Sequence, residues 1–296
     1  MNMKKTSNIS KTLIHIIMTL FSLACLIPLL TVISVSLSNE SDITTFGYSL
    51  IPKHLDSLAY QYIFASPSLI LNAYAVTIFV TVVGTIMALL VNSLAAYALS
   101  RRQFEYRSPI ALIIFFTTMF SGGVIPTYIL VTRTLNLQDR IWAMILPAVA
   151  APWYMFILRT NFKTIPESII ESVKLDGMGE FSIYSRMILP LSKPALATIG
   201  LFITLGYWND WWLCLLYIDK NSLNNLQYML YRLMQNISFI NSVNKMTIGL
   251  NLDTTKLPNE SARMAMVVLA AGPMLFGFSF FQKYFVQGLT VGSIKG

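Results

Sequence analysis

Six stretches free of Asp, Glu, Lys and Arg punctuate the chain: residues 12–39, 57–100, 108–132, 141–158, 194–209 and 264–282. A helix needs about 20 mostly apolar residues to cross roughly 30 Å of hydrocarbon. The fifth stretch is short but resumes beyond Asp210 as WWLCLLYI. The second is long, and Pro67 separates an external segment from a helix near residues 69–99. Alternation of the kind that builds barrels is absent, and backbone groups in lipid must find partners within their own segment. The pattern therefore predicts an all-α integral membrane protein with six transmembrane helices. The first stretch follows Lys4, Lys5 and Lys11, as a signal peptide would. Its apolar part exceeds the usual length of about 7–15 residues and no small-x-small site closes it, so a retained helix is predicted.

Composition supports the same class. Of 296 residues, 55% are hydrophobic and only 11% charged, against about 25% charged in a soluble domain. The net charge of +8 does not argue for nucleic acid, because the basic residues lie between apolar runs rather than on one polar domain. They report topology instead. With the N-terminus inside, inner segments hold Lys4, Lys5, Lys11, Arg101, Arg102, Arg107, Arg159, Lys163, Lys174, Arg186, Lys193, Lys283 and Lys295. Short outer segments hold only Lys53, Arg133 and Arg140. The positive-inside rule then predicts that both termini are cytoplasmic. Cys25 and Cys214 sit in apolar runs with no metal or disulfide spacing, and His15 and His54 are far apart, so no metal site is predicted.

One polar segment, residues 164–190, interrupts the oily pattern on the cytoplasmic side. Thr164 and Glu167 have capping-box spacing, with Pro166 in a permitted first-turn position. Ile165, Ile169 and Val173 recur every four residues beside Ile170, while Glu167, Glu171 and Lys174 take the other side, which predicts a short amphipathic helix. Asp176-Gly177 breaks it, glycine accepting the left-handed conformation at a helix end. A second short helix is predicted over residues 180–188, with Phe181, Tyr184 and Ile188 on one face and Pro190 ending it. Two roles are open to such a hairpin: an interfacial pair lying on anionic lipid, or a docking lug for a cytoplasmic protein. Glu167 and Glu171 are poor partners for anionic lipid and favour the lug.

The segment ESVKLDGMGEFSIYSRMILPLSKP resembles the EAA loop of permease subunits in binding-protein-dependent ABC importers. Glu171, Gly177, Ile188 and Pro190 match that loop in order and spacing, and Asp176 and Pro166 match its carbohydrate branch. Ser172-Val173 replaces the usual Ala-Ala and Met178 the usual Ala, enlarging the packing surface. NSLAAYALSRRQF, FSGGVIPTYILVTRTLNLQDRIWAMILP, GYWNDWWLCLLYI and FFQKYFVQGLTVGSIKG extend the resemblance over most of the chain. They are most similar to the second subunit of maltose-type permeases and to permeases for oligosaccharides or uronate-containing glycans. The resemblance implies a type I importer transmembrane fold. Residues 1–68 would form an N-terminal helix and external loop, 69–285 the core carrying the hairpin, and 286–296 a cytoplasmic tail. It implies that Glu171, Ser172, Val173, Asp176, Gly177 and Met178 seat in a cytoplasmic ATPase. It also implies a second homologous permease, two ATPase copies holding ATP and Mg, an extracellular solute-binding lipoprotein and an oligosaccharide substrate.

No G-x-x-x-x-G-K-[ST] loop, H-E-x-x-H motif or Ser-His-Asp constellation is present, so catalysis is not expected of this chain and any ATP is hydrolysed elsewhere. Asp210 is the one acid within a membrane run, and intramembrane acids are functional candidates. Trp208, Asn209, Asp210 and Trp211 read either as an aromatic belt with helix packing or as a substrate path, rings beside polar tips suiting a sugar. Pro147, Pro152, Gly200, Gly206 and Gly272-Pro273 read as close packing or static kinks. A permease for amino acids or peptides, and a non-transport scaffold or channel, are the competing readings.

Overall fold

The computed structural model describes residues 8–246 and 259–293. Lys4, Lys5, Lys295 and the end of the expected tail lie outside them. Among the described residues every extended element is helical, with one isolated bridge between Ser38 and Leu55. The chain divides into two compact units, Met1–Pro67 with Leu230–Gly272 and Ser68–Met229 with Pro273–Gly296.

In the first unit, the helix Asn8–Ser36 exposes nearly all of its apolar side chains from Leu13 to Ile33. Where it ends, Ser36 Oγ donates to the Ile33 carbonyl and meets Tyr60 Oη at 2.9 Å. Glu40 is buried, and its carboxylate accepts from the Glu260 N–H at 2.9 Å, the Ser261 N–H at 3.1 Å and Ser261 Oγ at 2.8 Å. Those amides open the helix Glu260–Ser293, so a carboxylate meets the positive end of a long helix.

The second unit is organised by the helix Pro67–Ser100. Its buried residues Val76, Val80, Ala88, Ala96 and Leu99 pack in one core with Met144, Ile145, Leu158, Phe162, Ile183, Ile188, Ile199 and Ile203. Two described helices are long and apolar enough to span a membrane, Lys11–Ser36 and Pro67–Ser100. The third and fourth apolar runs are instead bent pairs, Arg107–Met119 with Val124–Thr134 (113°) and Ile141–Val149 with Pro152–Phe162 (47°), and the helix of the fifth, Lys193–Trp208, meets the preceding segment Glu180–Leu191 at 84°.

The first two bends have local causes. Gly123, at φ 87°, adopts a conformation L side chains resist and turns the third run. Pro152 has no N–H to donate and biases Ala151 towards extended backbone, φ −119° and ψ 100°. That leaves the Val149 carbonyl and the Ala151 N–H without helical partners. Asn92 answers both: Nδ2 donates to Val149 O at 2.8 Å and Oδ1 accepts from Ala151 N at 2.9 Å. The fifth run does not continue as one helix through Asp210, as expected, but stops at Trp208 and restarts at Trp212. The loop at residues 209–211 is stitched by the Asn225 side chain, whose amide donates to the Asp210 carbonyl.

Gly84 is a close-approach glycine. A methyl there would stand 2.7 Å from the Tyr207 ring, which cannot retreat without breaking its own hydrogen bond to Ile145 O at 2.9 Å. Gly84→Ala is expected to lower stability by about 1–3 kcal/mol through overpacking. Gly206→Ala, with open space around it, should leave the melting temperature unchanged or slightly raised. Asn92→Leu strands two buried backbone groups and should cost about 2–4 kcal/mol. Thermal unfolding of the detergent-solubilised protein measures all three.

Candidate functional site: the polar hairpin

The first arm is the helix Glu167–Leu175. It does not begin with the expected capping box. Pro166, at φ −57° and ψ 131°, is the residue before the helix, and Thr164 Oγ1 donates backwards to Asn161 O at 2.8 Å. The proline's fixed φ and extended ψ start the helix two residues later than the Thr-x-x-Glu spacing suggested. Ile170 is buried, Ile165 and Val173 are half-buried, and Ile169 faces out.

The tip closes as expected of Asp176-Gly177. Gly177 has φ 84°, its N–H donates to Lys174 O at 2.9 Å, and the Met178 N–H donates to Val173 O at 3.1 Å. These two bonds form a Schellman motif, with Val173 and Met178 packed against the core beside it. No atom would contact a Cβ at Gly177, so its backbone conformation is what demands glycine.

The second arm differs from the expected single helix that Pro190 ends. Glu180–Ile183 is α-helical, Tyr184–Ile188 forms a wider π turn, and Leu189–Leu191 continues through the proline. A proline lacks an N–H and its ring crowds the carbonyl four residues back; the wider turn relieves both. The break falls at Ser192 instead. Tyr184 and Ile188 are buried, but Phe181 is 74% exposed and does not share their face.

Polar contacts fasten the hairpin to the helix Pro67–Ser100 and the residues after it. Tyr184 Oη and Ser93 Oγ lie 2.6 Å apart. Tyr97 Oη donates to Glu180 Oε2, and Lys174 Nζ meets both Glu180 Oε1 and Gln103 Oε1. Arg101 Nε stands 3.6 Å from Glu180 Oε2, and Arg102 Nε 3.0 Å from Glu167 Oε2. Burial pushes the Glu180 carboxyl up, but Lys174, Tyr97 and Arg101 together outweigh it and hold it below the ordinary value of 4.5.

The six hairpin residues singled out in the sequence fall into two groups. Val173 and Met178 face inward as anchors, whereas Glu171, Ser172, Asp176 and Gly177 are exposed. Leu175, beside them at the tip, is 90% exposed. Sequence reasoning passed over Leu175, Tyr97, Arg101 and Glu180. The four-residue spacing of Ser93, Tyr97 and Arg101 was the available signal for a polar stripe on the long helix.

The four residues of the aromatic cluster are not brought to one surface. Trp208 is buried, and Asn209 Nδ2 donates to Leu205 O at 2.9 Å while its Oδ1 accepts from Gln227 Nε2 at 3.4 Å. Trp211 and Trp212 meet edge to face, their ring centroids 5.6 Å apart. Asp210 alone of the four lines a cleft of about 190 Å³, with Ala148, Tyr154, Ile203, Gly206, Tyr207 and Leu213. Its Oδ1 accepts weakly from the Leu213 N–H at 3.4 Å, and Oδ2 is buried with no hydrogen-bond partner among the described residues. Among those residues no group of His, Cys, Asp and Glu could hold a metal ion.

No family model matches the sequence. The polygalacturonan/rhamnogalacturonan transport system permease protein YtcP of Bacillus subtilis is 36% identical over 290 residues, covering 96% of this chain and 97% of that protein. The protein LplC of the same organism is 36% identical over 271 residues, covering 92% and 90%. Among solved structures, a bacterial ABC transporter involved in the import of the acidic polysaccharide alginate superposes with a TM-score of 0.78 at 26% identity, covering 96% of this chain and 99% of that one.

The depressed value at Glu180 sets a pH dependence. A carboxyl held below its ordinary value contributes fully above about 4.5 and loses that contribution as pH falls through the lower, folded value. Amide exchange in residues 167–183, corrected for the intrinsic rate, should therefore accelerate on acidification below pH 4.5. Glu180→Gln should flatten that step.

Proposed function

The chain belongs to the membrane-spanning permease subunits of carbohydrate-importing ABC transporters, and from that premise we propose that residues 164–190 are the hairpin through which a separate ATPase drives transport. As such a subunit it resides in the bacterial cytoplasmic membrane, carries glycans across it, and is not itself an enzyme. The observation that carries the coupling reading is the construction of the tip. A rigid Schellman turn presents Leu175, Glu171, Ser172, Asp176 and Gly177 outward, while Val173, Met178 and Ile170 hold the same turn to the core. An apolar side chain 90% exposed on a rigid polar turn suits a protein groove.

In this reading six spans leave both termini in the cytoplasm. Residues 1–68 form the first span and external loop, 69–285 the core, and 286–296 a tail towards the ATPases. The partners are a second homologous permease, two ATPase copies that hold ATP and Mg, and an extracellular solute-binding lipoprotein. ATP binding favours one arrangement of the ATPase pair, and the two hairpins carry that preference into the spans. The cargo is an oligosaccharide, with uronate-containing glycans first, since the relatives at 36% and 26% identity are named for polygalacturonan/rhamnogalacturonan and alginate. Asp210 is the path residue of the aromatic cluster. Its unpartnered Oδ2 accepts a sugar hydroxyl in the cleft beside Tyr154 and Tyr207.

The test is reconstitution with the partner subunits and a panel of oligogalacturonates, alginate oligomers, arabino-oligosaccharides, peptides and amino acids. Stimulation of ATP hydrolysis and uptake by a glycan is expected. Stimulation by a peptide, or uptake without the ATPases, would replace the reading. Gly177→Ala forces a side chain into a left-handed conformation costing about 1–2 kcal/mol. It should cut ATP-driven uptake roughly tenfold in protein that still inserts.

A further inference from the structure

A hairpin that receives a push at its tip transmits it only as well as its arms are fastened to the spans. Much of the fastening is apolar: Ile170, Ile183, Tyr184 and Ile188 are buried in the core. The polar fastenings are unequal. Arg102 and Glu167 form a pair in which the arginine side chain is 78% exposed, and such pairs contribute little. Glu180 is different. One oxygen faces Lys174 of the first arm; the other accepts from Tyr97 on the long helix and stands near Arg101 just beyond its end. A single carboxylate thus joins both arms to each other and to the end of the spine.

The Arg101 contact is incomplete. At 3.6 Å its Nε lies outside hydrogen-bond distance of Glu180. Nε and Nη2 are buried without a hydrogen-bond partner among the described residues, on a residue only 7% exposed. A buried guanidinium short of acceptors is unfavourable, and a sub-ångström approach of the second arm would complete the bond. There is room for that approach. A cleft of about 460 Å³ runs along the seam, lined by Leu94, Tyr97, Ala98 and Arg101 on one side and Glu180 and Phe181 on the other.

The geometry points to Glu180 as the positioning residue that passes hairpin movement to the helix Pro67–Ser100, with Arg101 the group whose bond to it closes in one of the two transport states. This rests on the reading of residues 164–190 as the coupling hairpin. It assigns the transmission to a carboxylate behind the docking surface rather than to the exposed tip.

The experiment compares wild type, Glu180→Gln, which keeps the shape and loses the charge, and Glu180→Asp, which keeps the charge. Each is assembled with its partner permease, ATPases and binding protein in proteoliposomes. A mixture of oligogalacturonates, alginate oligomers and arabino-oligosaccharides is the probe, and uptake and ATP hydrolysis are read in the same vesicles. The Gln variant should assemble and hydrolyse ATP, with uptake per ATP reduced about tenfold, the factor expected for one lost charge-assisted contact. The Asp variant should recover part of the ratio. A wild-type ratio in the Gln variant would overturn the inference, as would failure of both variants to assemble, which makes the role one of folding alone. Wild-type vesicles that hydrolyse ATP without uptake would instead overturn the coupling reading, and the inference with it.

Discussion

Inside a bilayer, a backbone amide or carbonyl released from its helix has no water to turn to. The second unit is built around that constraint. Two of its apolar runs are bent, at Gly123 and before Pro152, and the second bend frees polar groups that the helix Pro67–Ser100 then receives. Asn92 bridges the gap before Pro152, Thr77 Oγ1 accepts the Leu226 N–H at 2.9 Å where a later helix starts, and Asn72 donates to the Ser222 carbonyl. Beyond Asn92 the same helix meets the hairpin through Ser93 and Tyr97, and its Leu99 carbonyl accepts from Arg159 Nε of the helix Pro152–Phe162 at 3.1 Å. An unbroken helix of 34 residues can serve as a spine because side chains along its length reach the freed groups of its neighbours.

The hairpin extends that logic beyond the apolar runs. Its tip needs stiffness, supplied by the Schellman turn at Gly177, and its base needs attachment, supplied by apolar burial and the Glu180 cluster. The π turn at Tyr184–Ile188 lets the second arm run through Pro190 instead of stopping there. The link from arm to following span is therefore a bend at Ser192 and not a loose loop. Force applied at one end of such a path meets few soft joints.

Much of this was legible in the sequence. Charge-free runs located the apolar segments, and Asp176-Gly177 located the tip, because both signals are local. Breaks within runs were harder. Pro152 and Gly123 were visible as residues, but whether a break is a mild kink or a 113° bend depends on which neighbour accepts the freed groups. The capping box failed for a similar reason: Pro166 imposed its own backbone geometry over the Thr164–Glu167 spacing. Asn92, Tyr97, Arg101 and Glu180 were individually ordinary. Their importance comes from residues 57 to 83 positions away meeting them in space, as Val149 meets Asn92 and Glu180 meets Tyr97, and no period in the chain records such a meeting.

Asn92 also restricts how this architecture can change over generations. It presents one donor to Val149 and one acceptor to Ala151, so both the identity of the side chain and the alignment of two sequence-distant segments are fixed at one point. Sliding the stretch from Ile141 to Phe162 along its neighbour by a single position would orphan both groups. An inserted or deleted residue within either segment would break this register, whereas one in the connecting loops would leave it intact.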